Sequence, residues 1–257
     1  FNNITSNRVH NTKEAGIVLQ DSSDWNSVSN NSAYNGNDGF RVLNSYNNTL
    51  INNSATNYDN RGFYIDSSSG NNLTSNAAYG NSYGFYYNYG GWNRMVNCTA
   101  QGSSSYGLYL GTTTNNIFEN NSIYDGADKG IFIQSSDGNY FSNTTLYNNS
   151  LDIYVYVDSY SPASYYMQNT TILNPFGTFE NYTVLSINDT IDPGEYYFIK
   201  WTTNSSELPG GRVSFDNKFV NISIDTTIAS ANTSIDEIIW SWTDGEVTVG
   251  GYDESKF

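Results

Sequence analysis

A glycine followed by an alternating apolar strand recurs along the first part of this 257-residue chain, and that recurrence decides its architecture. The copies start at Gly16, Gly39, Gly62, Gly84, Gly107 and Gly130, with Asp152 standing where the next glycine would be. Successive starts are 23, 23, 22, 23, 23 and 22 residues apart. A period of that length belongs to a solenoid, in which each coil buries its apolar side chains only against its neighbours.

Positions one and three after each glycine are apolar in every copy, from Ile17/Leu19 and Phe40/Val42 through to Ile153/Val155. That is the period of a strand with one buried face. A second ladder, Asn-x-x-x-Asn, keeps the same phase at Asn3/Asn7, Asn26/Asn30, Asn48/Asn52, Asn72/Asn76, Asn93/Asn97, Asn116/Asn120 and Asn139/Asn143. Between the paired Asn sits an inward candidate: Thr5, Val28, Leu50, Thr74, Met95, Phe118 or Phe141. Three residues beyond the second Asn comes another: His10, Ala33, Ala55, Tyr79, Ala100, Ile123 or Leu146. The alternation slips there, so each coil turns corners and holds three short strands.

Such coils fit a right-handed parallel β-helix of about seven coils, each strand pairing one coil away at about 4.8 Å. Asn7, Asn30, Asn52, Asn76, Asn97, Asn120 and Asn143 are expected to form a structural ladder, each amide bonding to the amides above and below. The glycines are expected at corners of positive φ.

N-x-[apolar]-x-N followed by G-[FIL]-x-[VIL] resembles the parallel β-helix repeats of NosD-like proteins and of archaeal-type cell-surface proteins. The resemblance covers residues 1–158. It implies the fold, and it carries over no catalytic residue, because such repeats occur in enzymes, adhesins and structural proteins alike.

Composition changes after residue 158. All four prolines lie beyond it, whereas 31 of the 39 Asn precede residue 150. Runs such as Tyr196–Thr202 and Phe219–Ile224, separated by turn signals such as Asp192-Pro193-Gly194, predict a second, all-β and sandwich-like domain over 159–257. Of the fifteen N-x-[ST] sequons, those at Asn169, Asn181, Asn188, Asn204, Asn221 and Asn232 fall where no Asn ladder explains them. They are glycosylation candidates, and glycosylation implies export to the cell surface or beyond. The chain begins with Phe1 in mid-repeat, which reads as processing or as a piece of something longer. No apolar run is long enough to cross a bilayer as a helix.

Charge and donor types narrow the chemistry. The formal net charge of −15 repels a nucleic-acid backbone. The single cysteine, Cys98, reads as a small core residue, and no cofactor is expected. The copper role that the resemblance to NosD-like proteins implies finds no soft ligands beyond Cys98, Met95 and Met167. Calcium is left open by hard oxygen donors at Asp21, Asp24, Asp125 and Asp128, and at Asp236, Glu237, Asp244 and Glu246. Glycan hydrolysis or elimination needs carboxylates converging on one face, and along the aligned coils the acidic residues scatter. The chain is therefore expected not to be an enzyme.

One outward feature is ordered. The second residue after each glycine is Val18, Arg41, Tyr64, Tyr86, Tyr109, Phe132 and Tyr154 in turn, so Tyr64, Tyr86, Tyr109, Phe132 and Tyr154 form an aromatic stripe. Such a stripe stabilises a sheet and can also contact sugar rings or protein. With the first coil in register from Phe1 and its strand edge open, the expectation is a non-catalytic structural protein. It would self-associate through its β-helix ends into an extracellular filament, sheath or surface layer. A carbohydrate-binding or adhesin module is the alternative, and a polysaccharide-degrading enzyme the third reading.

Overall fold

The computed structural model describes residues 1–156, with side chains as far as Ser150 and at Ile153. Beyond them it describes the backbone of strands Tyr165–Gln168, Thr171–Ile172, Thr183–Ile187, Tyr196–Thr203, Gly211–Asp216, Phe219–Ile224 and Thr233–Ser241. The described elements are all strands, and those up to Thr171–Ile172 wind as a parallel β-helix.

The first face stacks Asn3–Thr5, Ser27–Ser29, Thr49–Ile51, Asn72–Thr74, Arg94–Val96, Ile117–Glu119 and Asn139–Ser142, each parallel to the next. In the early coils the second and third faces are two halves of one long strand: Arg8–Gln20, Ser32–Leu43 and Ser54–Asp66. A register shift between Thr12 and Ala15, and again between Gly36 and Asp38, marks the bend between the halves. Later coils split them, as in Ala77–Tyr79 and Tyr83–Gly91, or Thr99–Gln101 and Tyr106–Thr114.

The core is a set of columns running up the solenoid. Val28, Leu50, Leu73, Met95, Phe118 and Phe141 line the first face, and Ala33, Ala55, Ala78, Ala100, Ile123 and Leu146 the second. Phe40, Phe63 and Phe85 stack at 4.8 and 4.9 Å beneath the third. Repetition places like on like, so rings meet face to face and aliphatic side chains fill one plane per coil. Two coils correct the sequence reading. Leu73 and Ala78 point inward where Thr74 and Tyr79 were expected, and in the first coil Ile4 and Val9 pack on the core in place of Thr5 and His10.

The repeating glycine is needed for space. None from Gly16 to Gly130 in that column has a positive φ. A Cβ on Gly39 would stand 2.5 Å from the carbonyl oxygen of Gly62 and 2.8 Å from the Ala55 Cβ; on Gly84, 2.6 Å from that of Gly107. Positive φ falls instead to the corner residues, including Asn30, Asn52, Ser75, Asn97, Asn120 and Asn143. Asn tolerates that conformation better than other side chains do.

Parallel pairing carries on past residue 158. Tyr165–Gln168 adds to Asn139–Ser142, and Thr171–Ile172 adds to Thr145–Leu146. Antiparallel partners follow: Gly211–Asp216 on Thr171–Ile172, and Tyr196–Thr203 between Thr183–Ile187 and Thr233–Ser241. The sandwich-like packing expected of 159–257 lies outside the described residues.

Candidate functional site

The Asn ladders come first, because they fix the register in which outward side chains align. One runs Asn2, Asn26, Asn48, Asn71, Asn93, Asn116, Asn139, each backbone N–H donating to the Oδ1 one coil on at 2.8 to 3.1 Å. A second runs Asn7, Asn31, Asn53, Asn76, Cys98, Asn121, with the Cys98 sulfur accepting from the Asn76 N–H at 3.4 Å. Of the expected ladder residues, Asn7 and Asn76 belong to it. Asn30, Asn52, Asn97, Asn120 and Asn143 do not: they are exposed corner residues of positive φ, and the ladder passes through the residue after each of the first four. The physical reason is the corner. The chain turns through a left-handed residue first, and only the next side chain points inward.

With that register set, the third face presents two adjacent columns. The expected stripe pairs Val18, Arg41, Tyr64, Tyr86, Tyr109, Phe132 and Tyr154 in order. Beside it runs Asp38, Arg61, Tyr83, Tyr106 and Lys129, the residue before each glycine. Sequence reasoning missed this column because the glycine interrupts the alternation: the glycine and its successor are both buried, so both flanking residues lie on the other side, half-buried at Arg61, Tyr83, Tyr106 and Lys129 and covered at Asp38. The side chain of Tyr154 is outside the described residues.

The rings form a continuous, half-buried surface. Tyr86 stacks on Tyr109 at 4.2 Å, Tyr64 meets Tyr86 edge-on at 5.4 Å, and Phe132 lies 5.5 Å from Tyr109. Tyr83 packs edge-on against Tyr86 at 5.2 Å and Tyr106 at 5.3 Å. At one end the Arg61 guanidinium lies over Tyr64 at 3.9 Å and over Tyr86 at 4.5 Å. Asp38 is fully buried and anchors both arginines. It accepts from Arg41 Nε at 2.6 Å and from the Arg61 backbone N–H at 3.0 Å, with Arg61 Nη1 3.6 Å away. These charges come from two coils: Asp38 and Arg41 from one, Arg61 from the next.

Burial governs the tyrosine hydroxyls. It pushes Tyr64 up to about 12, with the charge of Asp66 adding to it, and it raises Tyr86, Tyr106 and Tyr109 as well. Around neutral pH these hydroxyls stay protonated and act as hydrogen-bond donors. Tyr109 donates to Gln134 Oε1 at 2.8 Å. A row of ring faces, fixed hydroxyl donors and two clamped guanidiniums suits a ligand with flat apolar faces and many oxygens.

The other candidates are dispersed. Asp24 accepts from the Tyr46 N–H at 2.6 Å, Asp125 from Gln101 and Asn148, and Asp128 pairs with Lys129. No group of three metal-ligating residues occurs among the described residues. Asp236 and Glu237 lie on Thr233–Ser241, and their side chains, with Asp244 and Glu246, are outside the described residues, as are Asn169, Asn181, Asn188, Asn204 and Asn232. Asn221 pairs with Ser214 through the backbone of Phe219–Ile224. An open depression of about 580 Å³ lies on the second face, lined by Arg8, Tyr34, Asn35 and Thr56 among others. It is remote in register from the stripe.

A parallel solenoid with one ordered outward face defines the class, and the sequence places the chain within it. The chain belongs to the NosD family, described as periplasmic copper-binding protein, whose model matches residues 1–211 and again 78–251. No helix among the described residues is long and apolar enough to cross a membrane. The described residues do not fit copper. Burial pushes the Cys98 thiol up to about 11, and its sulfur is engaged as a ladder rung, whereas copper takes a thiolate. Met95 is sealed in the core, and His10 stacks on Tyr34 in the first coil.

Among solved structures, the A-module of Azotobacter vinelandii mannuronan C-5 epimerase AlgE4 matches with a TM-score of 0.53 at 16% identity, over 65% of this chain and 59% of that one. Full-length tailspike protein 2 of an Escherichia coli O157:H7 bacteriophage matches at 0.52 and 10% identity, over 73% of this chain and 35% of that one. The chain spans less than two thirds of either, and at these identities the likeness is one of fold. None of the curated proteins matches. The expectation that the chain is not an enzyme is corrected by these structures, since an epimerase is built on the same stack of coils. Scatter along the sequence was no ground for it: Asp38, Arg41 and Arg61 show how stacking gathers charges from different coils.

Proposed function

We propose that the chain is an exported, cell-surface solenoid that holds a polysaccharide along its third face. Sugar rings stack on Tyr64, Tyr86, Tyr109 and Phe132, and the Arg41 and Arg61 guanidiniums take the polar substituents at one end. The observation that carries this reading is the unbroken row of half-buried rings ending in two arginines docked on a buried carboxylate. The fold shared with an epimerase of mannuronan supports it as a scaffold on which a polysaccharide can be handled.

The test is affinity electrophoresis of the full chain in gels containing alginate, pectin or neutral glucans, with Tyr86→Ser, Tyr109→Ser and Arg61→Gln as variants. Each lost ring contact should weaken retention by about threefold to tenfold, the scale of an aromatic contact. Circular dichroism of each variant checks that the coil stack survives. Folded variants retained like the parent would remove the third face as the binding surface. If the same variants lost self-association, with no glycan retained by the parent, the surface would belong to assembly.

A further inference from the structure

Four exposed aromatic side chains stand at the turn that joins the third face to the first: Trp25, Tyr46, Tyr89 and Trp92, at 63%, 42%, 59% and 71% exposure. Trp25 and Trp92 occupy one corner column, linked through backbone hydrogen bonds of consecutive coils with Asn47, Gly70 and Asn115. Every member of that column has a positive φ, 60° at Trp25 and 57° at Trp92. Asn and Gly are the residues that conformation favours, and a bulky side chain there is an outlier. Tyr89, with φ 43°, breaks a second such column in the same way. Among the described residues none of these four rings stacks on another ring, so the chain's own packing does not account for them.

Their placement describes a shape. Trp25 and Trp92 are three coils apart, about 14 Å at the strand spacing of a parallel sheet. Between them the column holds only Asn47 and Gly70, with Tyr46 exposed beside Asn47 and with Ser69, Gly90 and Gly91 flanking Gly70. The result is a shallow saddle along the rod axis with an indole at each end. Its turns, 21–26, 44–48, 66–71 and 88–93, contain Ser, Asn and Asp and no Lys or Arg. Sugar hydroxyls find partners there, and the nearest cation, Arg94, is paired with Glu119, so a carboxylated or sulfated sugar finds no free positive charge.

We propose that this saddle binds a neutral polysaccharide segment lying along the solenoid axis, with Trp25 and Trp92 stacking on sugar rings at its two ends. The proposal shares its ligand class with the third-face reading and uses a separate set of residues. The experiment uses the full chain with Trp25→Asn and Trp92→Gly, which install residue types that neighbouring coils carry at the same corner and so preserve the turn. Retention in gels of hydroxyethylcellulose, galactomannan and xyloglucan is measured, together with intrinsic tryptophan fluorescence on titration.

At least one of these glycans should retain the parent and shift its indole emission. Each single variant should weaken retention at least fivefold, the double variant should abolish the emission shift, and Tyr86→Ser with Tyr109→Ser should leave the emission shift in place whatever it does to retention. Retention unchanged in the double tryptophan variant overturns the proposal, as does a parent chain that none of the three retains. Retention lost in the tyrosine variant and kept in the tryptophan variant assigns the glycan to the third face alone and also overturns it.

Discussion

Rings on the third face and rings at the adjoining turn are set by the same repeat, yet they differ in what surrounds them. On the strands, each outward tyrosine has a counterpart directly above or below, so Tyr64, Tyr86, Tyr109 and Phe132 cover one another and are half-buried. At the turn, Trp25 and Trp92 interrupt columns of Asn and Gly and stand in solvent. The first set gains stability from repetition and the second gives some up. In a solenoid, therefore, an aromatic residue that conforms to its column has a structural reason to be there, and one that breaks its column points outside the chain.

The strongest test of that contrast is to remove the stacked rings. Tyr86→Ala together with Tyr109→Ala should lower unfolding free energy by about 2–4 kcal/mol, the cost of lost burial plus ring contacts. Urea unfolding followed by circular dichroism measures it, and a loss below about 0.5 kcal/mol would make the stripe as dispensable to the fold as the turn.

A smaller effect is expected beneath the turn. Asn116→Ala deprives the backbone N–H of Asn93 of its acceptor and should cost about 1–3 kcal/mol. Asn120→Gly, four residues on at an exposed positive-φ corner, should leave stability within about 0.5 kcal/mol. Equal losses in the two would mean that corner and ladder are not distinct.

The tryptophans should respond in the opposite direction. Trp25→Asn or Trp92→Gly relieves a left-handed residue and should raise stability by up to about 1 kcal/mol. A clear loss would show that the indoles pack on the chain after all. The smallest effect is on pH dependence. Because the Tyr64 hydroxyl is held up to about 12 in the folded chain, the unfolded chain loses that proton first, near pH 10. The stabilisation is complete below about pH 10 and is lost as pH rises toward 12. Water screens these half-exposed groups and keeps the effect modest. Denaturation midpoints across that window, in the parent and in Tyr64→Phe, measure it: the parent should decline more steeply.

Much of this was legible in the sequence. Gly39, Gly62 and Gly84 with their apolar followers gave period, strand and inward face, because close packing against the next coil leaves room for no other residue there. The ladder was legible only to within a residue. Asn is favoured both at a left-handed corner and as a stacked amide, so Asn30-Asn31 and Asn52-Asn53 satisfy two roles side by side, and spacing alone chose the wrong member of each pair. The same ambiguity shifted Thr74 and Tyr79 inward in place of Leu73 and Ala78, where Ser75 takes the corner. The column of Asp38, Arg61, Tyr83 and Tyr106 was hidden by a break in alternation at the glycine, and Trp25 and Trp92 carry no repeat signal because they depart from it.

Cys98 has a consequence of a different kind. In an oxidising compartment a lone thiol invites mixed disulfides and stray dimers. Here the thiol is held up to about 11, is 1% exposed, and is occupied as the one sulfur rung in a ladder of amides. While the coil is closed it is chemically silent, and it becomes reactive only when the stack parts between Asn76 and Asn121. The rate at which a soluble disulfide reagent labels the native chain therefore clocks the opening of its middle coils, with no residue changed.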